Sequence, residues 1–321
     1  MAYGNGAYIV HKTLARRLPG YSVLGYSPRM EFFPFFMPFI MGRRKADIIH
    51  ATPDYGSFFS RLNVPLVVTF HNFMLDRFMQ AYSTLPQRIH YRTDLRYFTI
   101  KSLERADMVT SVSSFTADLV REVLGYRKEI RVIYNGIDQE KFKPAFKERK
   151  GQIKVLFAGN LTRRKGVDLL PKIVDQLSKN IIIQYTGGLR ARDLAFSSNR
   201  LVGLGPIVYD KMPEIYQQAD ILLFPTVREG YGLVAAEAMA SGLPVVATNC
   251  SSLPELVIDR KGGFLCELGN PTDFADKINL LASCENLRRE MGEYNRERIL
   301  EYFTLDCMVG NYQRLFEEIG G

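Results

Sequence analysis

The stretch ILLFPTVREGYGLVAAEAMASGLPVVAT, residues 221–248, decides the fold. An apolar run (ILLFP) leads into a loop with two glycines, then a helix-forming run of small residues, then a β-branched run (PVVAT) after Gly242 and Pro244. Two short apolar strands joined through a helix make a βαβ unit, whose strands lie parallel in one sheet. Outward from it the same alternation repeats. Strands are expected near 154–158, 181–186, 200–204, 244–248 and 263–266 in the second half, and near 21–26, 47–51, 66–70, 108–112 and 130–134 in the first. Helices fill the intervals, the first over 8–17 before Pro19-Gly20. The class is α/β with doubly wound parallel sheets. Within the deciding stretch, Glu229 lies in the loop and Glu237 about two helical turns on. Gly230 and Gly232 allow close backbone approach, and the helix start offers free N–H groups and a positive dipole end to a diphosphate.

At 321 residues the chain has room for two domains, and 46% hydrophobic with 24% charged residues is a globular composition, not a disordered or fibrous one. The most apolar run, FFPFFMPFIM (32–41), is too short to span a bilayer and holds two prolines. No signal-peptide pattern opens the sequence, so a cytoplasmic location is expected. Four cysteines without CxxC spacing suggest neither a zinc knuckle nor a disulfide framework. The net charge of +8 is unevenly spread: residues 1–150 hold 23 Lys and Arg against 13 Asp and Glu, and 151–321 hold 19 against 21. A basic first half suits an anionic partner. The polar segment 139–152, with Pro144, is the best linker.

Residues 229–237 resemble the E-x7-E signature of retaining glycosyltransferases of family 4, whose fold is GT-B, two Rossmann-like domains facing a central cleft. Gly159-Asn160-Leu161-Thr162-Arg163-Arg164-Lys165-Gly166 resembles that family's GRLxxxKG loop. Asn135-Gly136-Ile137-Asp138 resembles its NGID segment, and His71, closing the strand LVVTF, its active-site histidine. The resemblance implies an acceptor-binding N-domain (1–148) with the terminal helix (305–321) packed back on it, and a nucleotide-sugar-binding domain (149–304). With Gly4-Asn5-Gly6 so near Met1, the first strand of the N-domain is expected to be missing.

The resemblance further implies a hexosyltransferase moving a sugar, with retention and without a metal or other cofactor, from a nucleotide-diphosphate sugar to a glycan or lipid-linked acceptor, as in polysaccharide biosynthesis. His71, Lys165 and Glu229 would be its catalytic residues. Lys165 would meet the diphosphate with Asn160, Arg163 and Arg164 beside it; the family has an arginine at the place of Asn160. Glu229 would contact sugar hydroxyls, with the backbone of Gly230, Tyr231, Gly232 and Leu233 on sugar and phosphate. Glu237 would accept from the ribose, Ile207 would border the base, Gly187-Gly188 would form a close-approach turn, and Gly4 and Gly6 would face the acceptor.

No Asp-x-Asp pair, Walker loop, HExxH or strand-following GxGxxG occurs, so manganese-dependent transferase, NTPase, zinc protease and dinucleotide oxidoreductase chemistries lack their parts. The phenylalanines of 32–39, followed by Arg43-Arg44-Lys45, suit an anionic membrane surface at its inner face or a lipid-linked acceptor. The charge comes with no nucleic-acid motif, and nucleic acid is not expected as a partner. A sugar-nucleotide epimerase or hydrolase of the same fold, or a non-catalytic nucleotide-sugar-binding subunit, is the alternative.

Overall fold

A computed structural model describes residues 6–42, 45–145, 151–187, 196 and 198–320. The chain divides into two compact units, one of residues 1–136 with 306–321, the other of 137–305. The sequence reading put this break at 148/149, within the polar segment. At the start and end of the second unit, Ile137 and Thr304 form a parallel bridge, with the Ile137 N–H donating to Phe303 at 2.8 Å and the Leu305 N–H to Ile137 at 3.0 Å.

The first unit holds a parallel sheet of β1 (Ile49–Ala51), β2 (Leu66–Phe70), β3 (Met108–Ser111) and β4 (Ile130–Val132), in that order. Side chains alternate across it. Ile49, Ala51, Leu66, Val68, Phe70 and Val109 form one face and pack with Leu103, Ala106, Ala117 and Val120 into the core. His50, Thr69 and Thr110 lie on the other, since His50 pairs with Val67 and Thr69 with Thr110. That face meets Tyr312 of the terminal helix Leu305–Gly320, whose Phe316 stacks on Tyr21 at 6.0 Å. Helix Gly6–Arg17 buries Ala7, Val10, His11 and Leu14, one stripe at helical spacing.

One expected strand does not form. Residues 21–25 have no regular structure. A strand needs a hydrogen-bonding neighbour, and β1 is the outer strand of its sheet. Between the two lies a cavity of about 990 Å³, with Tyr21, Leu24, Ile49, Ala51 and Phe316 among its walls. Leu24 and Tyr26 are nevertheless packed inward, as the apolar pattern required.

The second unit holds six parallel strands: β5 (Ile153–Phe157), β6 (Ile181–Gly187), β7 (Leu201–Pro206), β8 (Ile221–Phe224), β9 (Val245–Thr248) and β10 (Gly263–Cys266). Their order is β10-β9-β8-β5-β6-β7. The chain winds one way from β5 through β7, then returns to β5's other side and winds outward through β10. All side chains of β8 and β9 are buried, as expected of central parallel strands covered on both faces. The winding reverses between β5 and β8, and in open α/β sheets ligands bind beyond the carboxyl ends of the strands at such a point.

Candidate functional site

The two loops that follow β5 and β8 carry the charged residues. The loop after β5 runs through Gly159 and Asn160 to a tight turn, Arg163–Lys165, closed by Gly166 in the left-handed region at φ +78°. The loop after β8 runs through Thr226 and Glu229 to Gly232, φ +102°, before helix Leu233–Ala240. Lys165 and Glu229, 64 positions apart, form an ion pair with side chains 14% and 13% exposed. Thr226 donates its hydroxyl to the same carboxylate oxygen at 2.8 Å. The loops are also sewn by backbone: the carbonyl of Arg164 accepts from the Val227 N–H at 3.0 Å, and the Arg164 guanidinium donates to the Arg228 carbonyl at 2.9 Å.

Burial alone would push the Glu229 carboxyl up. Lys165 and Arg164 nearby, with the hydrogen bonds from Lys165 and Thr226, outweigh it and hold the group below the ordinary glutamate value. Glu229 is thus an anchored carboxylate. The ammonium of Lys165 lies 5.3 Å from the Phe224 ring centre and, with three N–H donors, keeps capacity beyond Glu229.

Ser251 and Ser252, beyond β9, fix the glutamate loop: Ser251 accepts from the Glu229 N–H at 3.1 Å, and Ser252 donates to the Tyr231 carbonyl at 2.9 Å. The sequence reading did not single them out. The available signal was their place past the carboxyl end of a buried strand.

Glu237 has a separate set of partners. It is 5% exposed and accepts from Tyr209 at 3.0 Å and Tyr216 at 2.9 Å, one phenol on each oxygen. Lys141 stands 4.2 Å from the Tyr209 ring centre. Burial raises the carboxyl to about 7, against the pull of both phenols and Lys141. The tyrosines come from the stretch after β7 and from helix Met212–Gln218, and no sequence spacing links them to Glu237. A carboxylate has four acceptor directions, so two remain.

This raised value has a testable sign. Below about pH 4.5 the carboxyl is protonated folded or unfolded; between 4.5 and 7 only the folded chain keeps the proton, so its contribution is lost as pH rises through about 7. The stability of Glu237→Gln minus that of the wild type is expected to grow by about 3 kcal/mol from pH 4.5 to pH 8. Denaturant unfolding of both chains measures it, and a pH-independent difference would remove the buried-acid account.

The remaining expected residues fall as follows. Asn160 and Arg163 are exposed on the β5 loop, and Ile207 is half-buried after β7. Gly187 ends β6, where an added Cβ would lie 3.1 Å from the Gly205 carbonyl carbon. Gly230 and Tyr231 are buried and Leu233 begins the helix. Gly6 starts its helix, and a Cβ there would meet nothing within 4 Å among the described residues. Gly4, Gly188, Arg43 and Arg44 lie outside the described residues. In the first unit, His71 follows β2, and its Nε2 lies 3.0 Å from His11 Nε2.

Two parallel-sheet α/β units, the second doubly wound with an anchored Lys–Glu pair at its switch point, narrow the class, and comparison with known families completes the step. Residues 138–298 match the family described as Glycosyl transferases group 1, and residues 5–141 match Glycosyltransferase Family 4. The chain belongs to the group 1 glycosyl transferases and has their GT-B fold, as the resemblance implied.

It is 28% identical over 237 residues to the N-acetyl-alpha-D-glucosaminyl L-malate synthase of Bacillus anthracis, covering 68% of this chain and 61% of that one. It is 27% identical over 288 residues to the sulfoquinovosyl transferase SQD2 of Arabidopsis thaliana, covering 82% and 55%. The chain therefore spans less than two thirds of the length of these relatives. Among solved structures, Anabaena HepE in complex with UDP and glucose superposes with a TM-score of 0.78 at 18% identity, covering 98% of this chain and 96% of that one. The sucrose-phosphate synthase of Thermosynechococcus elongatus gives 0.78 at 20% identity, covering 93% and 81%.

Proposed function

We propose that this chain is a glycosyltransferase that moves a sugar from a nucleotide-diphosphate sugar to an acceptor hydroxyl, with retention at the anomeric carbon and without a metal ion. The observation that carries the reading is the Lys165–Glu229 pair, fixed at the switch point beside the start of helix Leu233–Ala240. A departing nucleoside diphosphate needs cations and N–H donors, and Lys165 with the N–H groups at that helix start supplies both. The C1–O bond to the diphosphate breaks, the acceptor oxygen bonds to C1 on the same face, and the acceptor proton passes to the departing phosphate. Glu229 holds sugar hydroxyls, Glu237 uses its remaining acceptor directions for the ribose, and His71 supports the sugar. The names of the relatives describe synthase and sugar-transfer activities, and HepE holds UDP and glucose. Both favour a nucleotide-sugar donor.

For the acceptor, exposed Phe33, Phe35, Phe36 and Phe39 favour a lipid-linked substrate met by peripheral binding at the inner face of a membrane. No described helix is long and apolar enough to cross a membrane. Serine substitution of Phe35 and Phe39 together is expected to release the protein from anionic vesicles in co-sedimentation, and unchanged binding would reject the patch.

The donor reading is tested by thermal shift with UDP-, GDP-, ADP- and dTDP-sugars in EDTA. One nucleotide class at about 100 times its Kd is expected to raise the melting temperature by several degrees, about 2.7 kcal/mol of linkage. Glu229→Gln should weaken that shift. No shift with any donor, or a shift that requires a divalent metal, would overturn the reading. NMR of the product anomer then checks retention.

A further inference from the structure

A continuous chain of hydrogen bonds runs through the first unit behind His71. His71 Nε2 meets His11 Nε2 at 3.0 Å; His11 Nδ1 meets the Tyr21 hydroxyl at 2.5 Å; that hydroxyl meets His50 Nδ1 at 2.8 Å. His50 Nε2 then meets the Thr69 hydroxyl at 2.5 Å, and Thr69 meets Thr110 at 2.5 Å. The members come from helix Gly6–Arg17, the segment before β1, β1 itself, β2 and β3, so tertiary packing alone assembles the chain. At its near end, His71 Nδ1 is buried and has no partner among the described residues.

The protons in such a chain are not independent. Tyr21 has one hydroxyl proton and two imidazole neighbours, so it donates to one and accepts from the other, and each neutral imidazole passes that sense along. Only two arrangements are consistent, with all donors pointing away from His71 or all pointing toward it. The far end does not choose between them, because threonine hydroxyls rotate to donate or accept. The near end does: pointing away leaves a bare lone pair at His71 Nδ1, whereas pointing toward it leaves an unpaired buried N–H, the costlier and rarer orphan.

We propose that His11 and Tyr21 are positioning residues that hold His71 in its Nε2–H tautomer, leaving Nδ1 as an acceptor reserved for a hydroxyl of the bound ligand. That the hydroxyl belongs to a sugar rests on the transferase reading; the tautomer does not.

The imidazoles are neutral over the working range. Burial lowers His71 to about 4, burial with the charge of His71 lowers His50 to about 3, and burial with the charges of His50 and His71 holds His11 well below its ordinary value. Tyr21 and Tyr312, which face the same cluster, are kept protonated by burial. No extra proton is present to blur the sense of the chain near pH 7.

The experiment is a long-range proton–nitrogen correlation spectrum of the full chain labelled with 15N-histidine at pH 7, with His71 assigned by its loss in His71→Gln. In the wild type His71 is expected to be at least about nine-tenths Nε2–H, the bias that the cost of one orphan donor sets. Dominant Nδ1–H at His71 would overturn the proposal without any variant. Tyr21→Phe removes the acceptor of the His11 Nδ1–H and makes the two senses equivalent, so His71 should show averaged nitrogen shifts. A folded Tyr21→Phe with His71 still wholly Nε2–H would also overturn it, because the tautomer would then be set elsewhere. These readouts need no substrate, so failure of sugar transfer would leave them standing, and their failure would leave the donor site standing.

Discussion

Sugar transfer by Lys165→Met is expected to fall 100- to 1,000-fold, about the loss when one preorganised donor is removed from a developing negative charge. The same substitution leaves the Glu229 carboxylate, 13% exposed, without its cation. Breaking a buried pair from one side costs about 3–5 kcal/mol, because the remaining charge is uncompensated. Arg164 and Thr226 remain, but without Lys165 the pull against burial is weakened and the Glu229 carboxyl moves up.

The wild-type pair contributes fully above the ordinary glutamate value near 4.5 and loses its contribution as pH falls below it, since the folded carboxyl is held lower than the unfolded one. Lys165→Met should lose this acid-side slope. The double variant Lys165→Met/Glu229→Gln removes both charges and is expected to recover most of the stability and none of the activity. Denaturant unfolding and steady-state kinetics on the three chains separate the roles. A double variant that regains activity would show that the pair braces the loops and does not meet the donor.

Gly166→Ala is expected to destabilise the second unit by about 3–5 kcal/mol, with strain and overpacking acting together. Gly166 has φ +78°, where an L side chain is strained, and its Cβ would lie 2.2 Å from the Pro225 carbonyl oxygen and 2.9 Å from the carbonyl carbon. Pro225 directly follows β8, so the obstacle is backbone that cannot rotate away. The turn carrying Lys165 sits on the end of the neighbouring strand because its last residue has no side chain.

Gly159→Ala is the control. Its φ is +135°, but an added Cβ meets nothing within 4 Å among the described residues, so only the conformational cost of about 1–3 kcal/mol is expected. Equal losses in the two variants, measured by denaturant unfolding, would refute the close-packing account.

Strand pattern carried the fold. β-branched runs such as LVVTF and VVAT are wholly buried and become central parallel strands, and ILLF does the same. The run at 21–26 reads equally well and forms no strand, because alternation specifies burial and not a hydrogen-bonding neighbour. Its inward residues are packed all the same. In the candidate site, the glycines and charged residues of the β5 and β8 loops stand out in the chain, since they interrupt apolar runs. Tyr209 and Tyr216 on Glu237, and Ser251 and Ser252 behind Glu229, did not, because each is an ordinary residue given meaning by a neighbour far away in sequence.

The amino-acid sequence by itself determined the α/β class, the family, and which loops are rich in glycine and charge; these follow from local periodicity and from residues adjacent along the chain. Tertiary structure alone decided that Lys165 pairs with Glu229, since that contact exists only where the winding of the sheet reverses between β5 and β8. It alone decided that Glu237 is a buried acid near neutrality, a property of the low-dielectric surroundings and two phenols. It also joined His11, Tyr21, His50 and His71 into one hydrogen-bonded chain, because a proton's placement at one ring depends on every donor and acceptor behind it.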